Sequence, residues 1–78
     1  MGVTVRLFAG ARERAGHSTV EVGGATIADV RASLAETCPP VAELLGSCRF
    51  ALHDEFVSDD TPVPEGAIVD VIPPVSGG

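Results

Sequence analysis

The 78-residue chain contains no lysine, no tryptophan and no tyrosine. Without lysine there is no Schiff-base chemistry, and no side-chain amine on which the chain could accept its own terminus. Without the two largest aromatics, the core falls to valine, leucine, isoleucine, alanine and three phenylalanines. Positive charge is scarce: five arginines stand against eleven acids, for a formal net charge of −6. Nucleic-acid binding draws on clustered cations that displace counterions from phosphate, so that class is set aside. A partner protein with a basic surface fits the sign, and so does plain solvation of an acidic surface. Cysteine is limited to Cys38 and Cys48, whose separation is neither that of a C-x-x-C redox pair nor that of zinc ligands. Buried free thiols in a reducing cytosol are the expected state, with a single disulfide as the alternative. No basic-then-apolar leader and no apolar run of membrane-spanning length occurs, so a cytoplasmic protein without membrane association is expected.

Hydrophobic residues make up 45% of the chain, enough for one small domain near the lower limit for a self-sufficient core. Val3-Thr4-Val5-Arg6-Leu7-Phe8 alternates with period two and predicts a strand with Val3, Val5 and Leu7 inward. Phe8 then shares the outer face with Thr4 and Arg6. It either folds back at the strand end or offers an apolar contact to a partner. Gly10 and Gly16 bracket a short helical turn carrying Arg12 and Glu13, read as solvated. His17–Val22 is a second strand. Thr26 and Asp29 mark a helix start, and Ile27, Val30, Leu34 and Cys38 form one apolar stripe as far as Pro39-Pro40, which stop the helix. Val41–Leu45 is a short second helix. Arg49–His53 is a third strand, followed by an Asp54-Glu55 turn, a short Phe56–Ser58 segment and the turn-rich loop 59–66. In the last strand, Ala67 to Ile72, Asp70 marks the wet face, because an unpaired carboxylate does not sit in an apolar core. Ile68 and Ile72 share that face.

The predicted class is α+β: a mixed five-strand sheet crossed by one main helix, with a short second helix. The first and last strands pair in parallel at the centre. This is the β-grasp, or ubiquitin-like, arrangement. It places a β-grasp domain at residues 1–72 and an arm at 73–78, Pro73-Pro74-Val75-Ser76-Gly77-Gly78. Two prolines favour an extended path, and six extended residues reach roughly 20 Å at about 3.3 Å each. The arm tapers to two residues without side chains, which suits a tunnel. The functional expectation is that it delivers the Gly78 carboxylate to a partner enzyme. No nucleophile–base pair, phosphate-binding glycine loop or metal-ligand spacing is visible, so neither an enzyme acting alone nor a metal site is expected. His53 is read as structural.

Leu7-Phe8-Ala9 followed by Arg12-Glu13 and Gly16, then Val57-Ser58, Pro62, Gly66 and the Pro-Pro-Val-Ser-Gly-Gly ending, resemble the MoaD/ThiS family of ubiquitin-like sulfur carriers. The double proline is similar to the family's molybdopterin branch. The resemblance implies that Gly78 is adenylated by a ubiquitin-activating-like adenylyltransferase using ATP, with no stably bound cofactor. Gly78 is then converted to a thiocarboxylate. It further implies a heterotetramer with the large subunit of molybdopterin synthase, in which residues 73–77 enter the partner's active site and Phe8, Phe56 and Ile72 form the interface. The sulfur would go to cyclic pyranopterin monophosphate. Other acceptors (thiazole, cysteine or tRNA) and a ubiquitin-like modifier are the alternatives. His53 departs from the asparagine more usual in this branch.

Overall fold

The computed structural model describes residues 2–74. Five strands form a single sheet: β1 Val3–Leu7, β2 Thr19–Val22, β3 Arg49–Leu52, β4 Glu55–Val57 and β5 Ile68–Ile72. Their order is β2-β1-β5-β3-β4. β1 and β5 run parallel, with Val5 opposite Val69 and Leu7 opposite Val71; every other pair is antiparallel. The parallel pairing of the first and last strands is the expected β-grasp centre. β5 is the middle strand, hydrogen-bonded along both sides.

The period-two pattern of β1 buries Val3, Val5 and Leu7. Together with Val22, Phe50, Leu52, Val69 and Val71 they present one apolar sheet face. Helix α2, Ile27–Thr37, covers it with Ile27, Val30 and Leu34, all fully buried. Burying an aliphatic side chain of this size contributes about 1.5–3 kcal/mol. The start of α2 is a capping box: the Asp29 N–H donates to Thr26 Oγ1 at 3.3 Å, and the Thr26 N–H donates to Asp29 Oδ2 at 3.2 Å. Gly24 lies so close beneath this turn that a Cβ there would stand 2.9 Å from the Val30 nitrogen.

Three local expectations need correction. The segment after β1 is a seven-residue helix, α1 Ala9–Ala15, and not a single turn between glycines. It starts at Phe8 and closes on Gly16 at φ 77, whose N–H bonds to the Arg12 carbonyl. Ala11 packs into the core from this helix, which is why the helix persists despite Gly10. The prolines after α2 do more than stop it. They occupy the first positions of α3, Pro39–Leu45, where their missing N–H groups have no helical partner to lose. The β3–β4 turn is His53-Asp54, one residue earlier than expected. Both residues have positive φ, 54° and 65°, the requirement of a two-residue hairpin loop that matches strand twist.

Arg31 ties several elements together. Its Nη1 donates to the Leu45 carbonyl at the end of α3, and its Nη2 pairs with Asp59 at 2.6 Å. Its guanidinium carbon stands 4.6 Å from the Phe50 ring centroid. Cys38 and Cys48 are both buried free thiols, as expected.

Candidate functional site

The sheet face opposite the helices carries the outward residues of each strand. Register sorts them into rows across the sheet. At one end lie Glu21, Thr4 and Ile68. The Thr4 hydroxyl donates to Glu21 Oε2 at 3.0 Å. The middle row runs Thr19, Arg6, Asp70, Ala51, Phe56. Arg6 and Asp70 form a two-point pair, Nε–Oδ1 at 2.6 Å and Nη2–Oδ2 at 3.0 Å. The hydrogen bond to Asp70, and then its charge, raise the Arg6 pKa further. Asp70 does mark the outer face, but it is paired: its side chain is only 13% exposed. The partner lies 64 positions away in sequence and becomes its neighbour only through the parallel β1–β5 register.

The third row lies at the end of the sheet where the chain leaves β5. Ile72 closes β5 with Arg49 directly opposite on β3. Phe8 continues β1 one residue beyond the Leu7–Val71 pair, in extended backbone with φ −126° and ψ 154°. Arg49 lies over the ring of Phe56, its guanidinium carbon 4.1 Å from the centroid. The arrangement thus brings Phe8 and Ile72 to the exit of the arm and sets Phe56 beside them on the edge strand. Phe8 is 41% and Phe56 54% exposed. Ile72 is half-buried, more covered than expected, because strands flank β5 on both sides. Ile68 is exposed too, but at the far end of the same face. Exposed Phe8 and Phe56 on one face of a small acidic protein make that face a candidate contact surface.

Pro73 and Pro74 follow β5 outside any regular element, with Pro74 exposed. Val75, Ser76, Gly77 and Gly78 lie outside the described residues. Pro73 and Pro74 thus lead directly out of the central strand, next to Phe8 and Ile72. Arg12 and Glu13 are exposed on α1 beside a shallow depression shared with His17 and Ser18. Among the described residues no group of three His, Cys, Asp or Glu is placed to hold a metal ion, and no helix is long and apolar enough to cross a membrane. Reading strands one at a time missed Arg49 as part of this face. The available signal was its position two residues ahead of Ala51 on an alternating strand.

Residues 5–78 match the ThiS family. The chain is 37% identical to the molybdopterin synthase sulfur carrier subunit of Chlamydomonas reinhardtii, covering 100% of both sequences. SAMP1 of Haloferax volcanii superimposes with a TM-score of 0.88 at 25% identity, covering 100% of each chain. A chain in the complex of subunits 1 and 2 of molybdopterin-converting factor from Helicobacter pylori superimposes at 0.73, with 28% identity and 100% coverage of each. Sheet order, family match and full-length similarity agree: the chain belongs to the MoaD/ThiS family of ubiquitin-like sulfur carriers.

Proposed function

We propose that this carrier is the small subunit of a molybdopterin synthase. The Gly78 carboxylate attacks the α-phosphate of ATP on an adenylyltransferase, and pyrophosphate leaves. A sulfur nucleophile then displaces AMP to give the thiocarboxylate. The large synthase subunit accepts the arm, and the sulfur passes to cyclic pyranopterin monophosphate. The chemistry is consistent with what a main-chain terminus offers. A carboxylate with a pKa near about 3.5 is ionised at neutral pH and is a poor electrophile until phosphate activates it. Glycine presents no Cβ to the nucleotide or to a narrow tunnel. The carrier domain acts as a handle, and catalysis belongs to the partners.

The observation that carries this reading is where β5 ends, at Ile72, with Pro73 and Pro74 following it. That strand is central, and beside its end lie Phe8, Ile72 and Phe56. A partner that grips these three side chains draws the tail in one direction. The full-length similarity to a molybdopterin synthase sulfur carrier subunit supports the choice of acceptor. The test is reconstitution: the thiocarboxylated chain, the large subunit and cyclic pyranopterin monophosphate together should yield molybdopterin. Omitting the chain, or removing its last glycine, should yield none.

The likeness to a small archaeal modifier protein favours a second reading, attachment of Gly78 to lysines of other proteins. This chain has no lysine, so any such adduct would join it to a different protein and be visible as a mass ladder in cell extracts. A ladder without molybdopterin formation would select that reading.

A further inference from the structure

We propose that Arg49 is a specificity-determining contact that reads a carboxylate set within the apolar patch of the large synthase subunit. The proposal rests on the reading that this sheet face docks onto that subunit, and it names the chemistry the docking surface must supply.

Three of the five arginines are ion-paired within the molecule: Arg6 with Asp70, Arg14 with Glu43 and Arg31 with Asp59. Arg49 has no carboxylate partner among the described residues, although the chain has acids to spare. It is held over Phe56 instead, at 4.1 Å from the ring centroid. The guanidinium rests against the ring and makes no side-chain hydrogen bond among the described residues, so its N–H donors remain available. Its strand partner is Ile72, so the cation stands between two apolar contacts at the root of the arm.

Charge is also segregated. The outward strand positions of this face carry Arg6 and Arg49 against Glu21 and Asp70. Asp54, in the β3–β4 turn, lies close enough to Arg6 to act on its charge, and Glu55 is on the edge strand β4. Glu13, Asp29, Glu36, Glu43, Asp59, Asp60 and Glu65 lie on the helices and loops. On a chain of charge −6, this face therefore carries only a small share of the negative charge, and its one cation without an ion pair among the described residues sits among the residues a partner would cover. Covering an unpaired guanidinium costs its hydration unless the partner provides an acceptor. A carboxylate provides that acceptor with two-point geometry. Because the stack holds the side chain in place beforehand, little rotamer freedom is lost on docking.

The test is calorimetric binding of the full chain to the large synthase subunit of the same organism. The variants are Arg49→Gln, Arg49→Leu, Arg49→Glu and Phe8→Asp, each checked for an unchanged melting temperature. Arg49 is exposed, so these substitutions leave the fold intact. The expected result is about thirtyfold or greater loss for Arg49→Gln and Arg49→Leu, and a larger loss for Arg49→Glu. The salt dependence of binding should flatten in Arg49→Leu. Replacing the partner carboxylate with lysine should restore binding to Arg49→Glu. If Arg49→Leu binds as the parent does while Phe8→Asp fails, the face is a docking surface but Arg49 reads no charge, and the proposal is overturned. If Arg49→Glu is no worse than Arg49→Gln, the proposal is likewise overturned. If the parent chain itself does not bind the large subunit, the proposed function fails and this inference falls with it.

Discussion

His53 and Asp54 each hold a backbone conformation that L-residues adopt at a cost, with φ of 54° and 65°. Histidine and aspartate tolerate it better than branched residues, and asparagine and glycine better still. The backbone at position 53 therefore favours asparagine over histidine. His53→Asn with Asp54→Gly should raise stability by about 1 kcal/mol, read as a rise in melting temperature of roughly 4–8 °C for a domain this size. An unchanged or lower value would show that the turn is not strained. Arg31 makes the opposite case. Its ion pair with the half-exposed Asp59 contributes little, but its hydrogen bond to the Leu45 carbonyl is partly buried. Arg31→Leu should lower stability by about 1–2 kcal/mol, seen as an earlier urea midpoint. Cys48 is a third test at this scale. Burial raises its pKa above the ordinary 9.0, opposed by the nearby Arg31 charge. The unfolded thiol therefore ionises first as pH rises. The stabilisation from this group is complete below the ordinary value and is lost as pH climbs through the folded value. Urea midpoints measured across the alkaline range should fall more steeply in the parent than in Cys48→Ala.

At the scale of elements, α2 was legible because every signal agreed: Thr26 as cap, Asp29 three residues on, and an apolar stripe that the structure buries from Ile27 to Cys38. Thr26→Ala should cost about 1 kcal/mol. Gly24→Ala should cost more than a surface substitution normally does, since the added Cβ meets main chain at 2.9 Å rather than a movable side-chain end. A melting temperature within error of the parent would contradict that packing. The strands were legible from alternation, and the central parallel pair from the order of elements. What could not be read was set by long-range register. The Arg6–Asp70 pair joins residues 64 apart, and nothing local distinguishes a paired aspartate from a free one. The extent of α1 was hidden for a related reason: Gly10 argues against a helix, and only the burial of Ala11 against the sheet offsets it. The outer face proposed to meet a partner was half legible. Alternation put Phe8 and Ile72 on the outer face, while Phe56 came from resemblance; Arg49 shares the alternation of Ala51, but only the register sets it opposite Ile72.

At the scale of the whole molecule, the proposed function makes the folded domain a grip and Gly78 the working end. Substitution of Phe8 or Phe56 by aspartate should abolish partner binding while leaving the melting temperature nearly unchanged, because both side chains are largely exposed. Removing Gly78 should abolish sulfur transfer with equally little effect on stability, since a chain end adds few contacts. The most direct measurement is the intact mass of the chain after incubation with ATP, a sulfur donor and its adenylyltransferase. The account predicts a gain equal to one sulfur less one oxygen, absent when Gly78 is deleted. An unchanged mass, with the same adenylyltransferase shown to consume ATP on this chain, would contradict it.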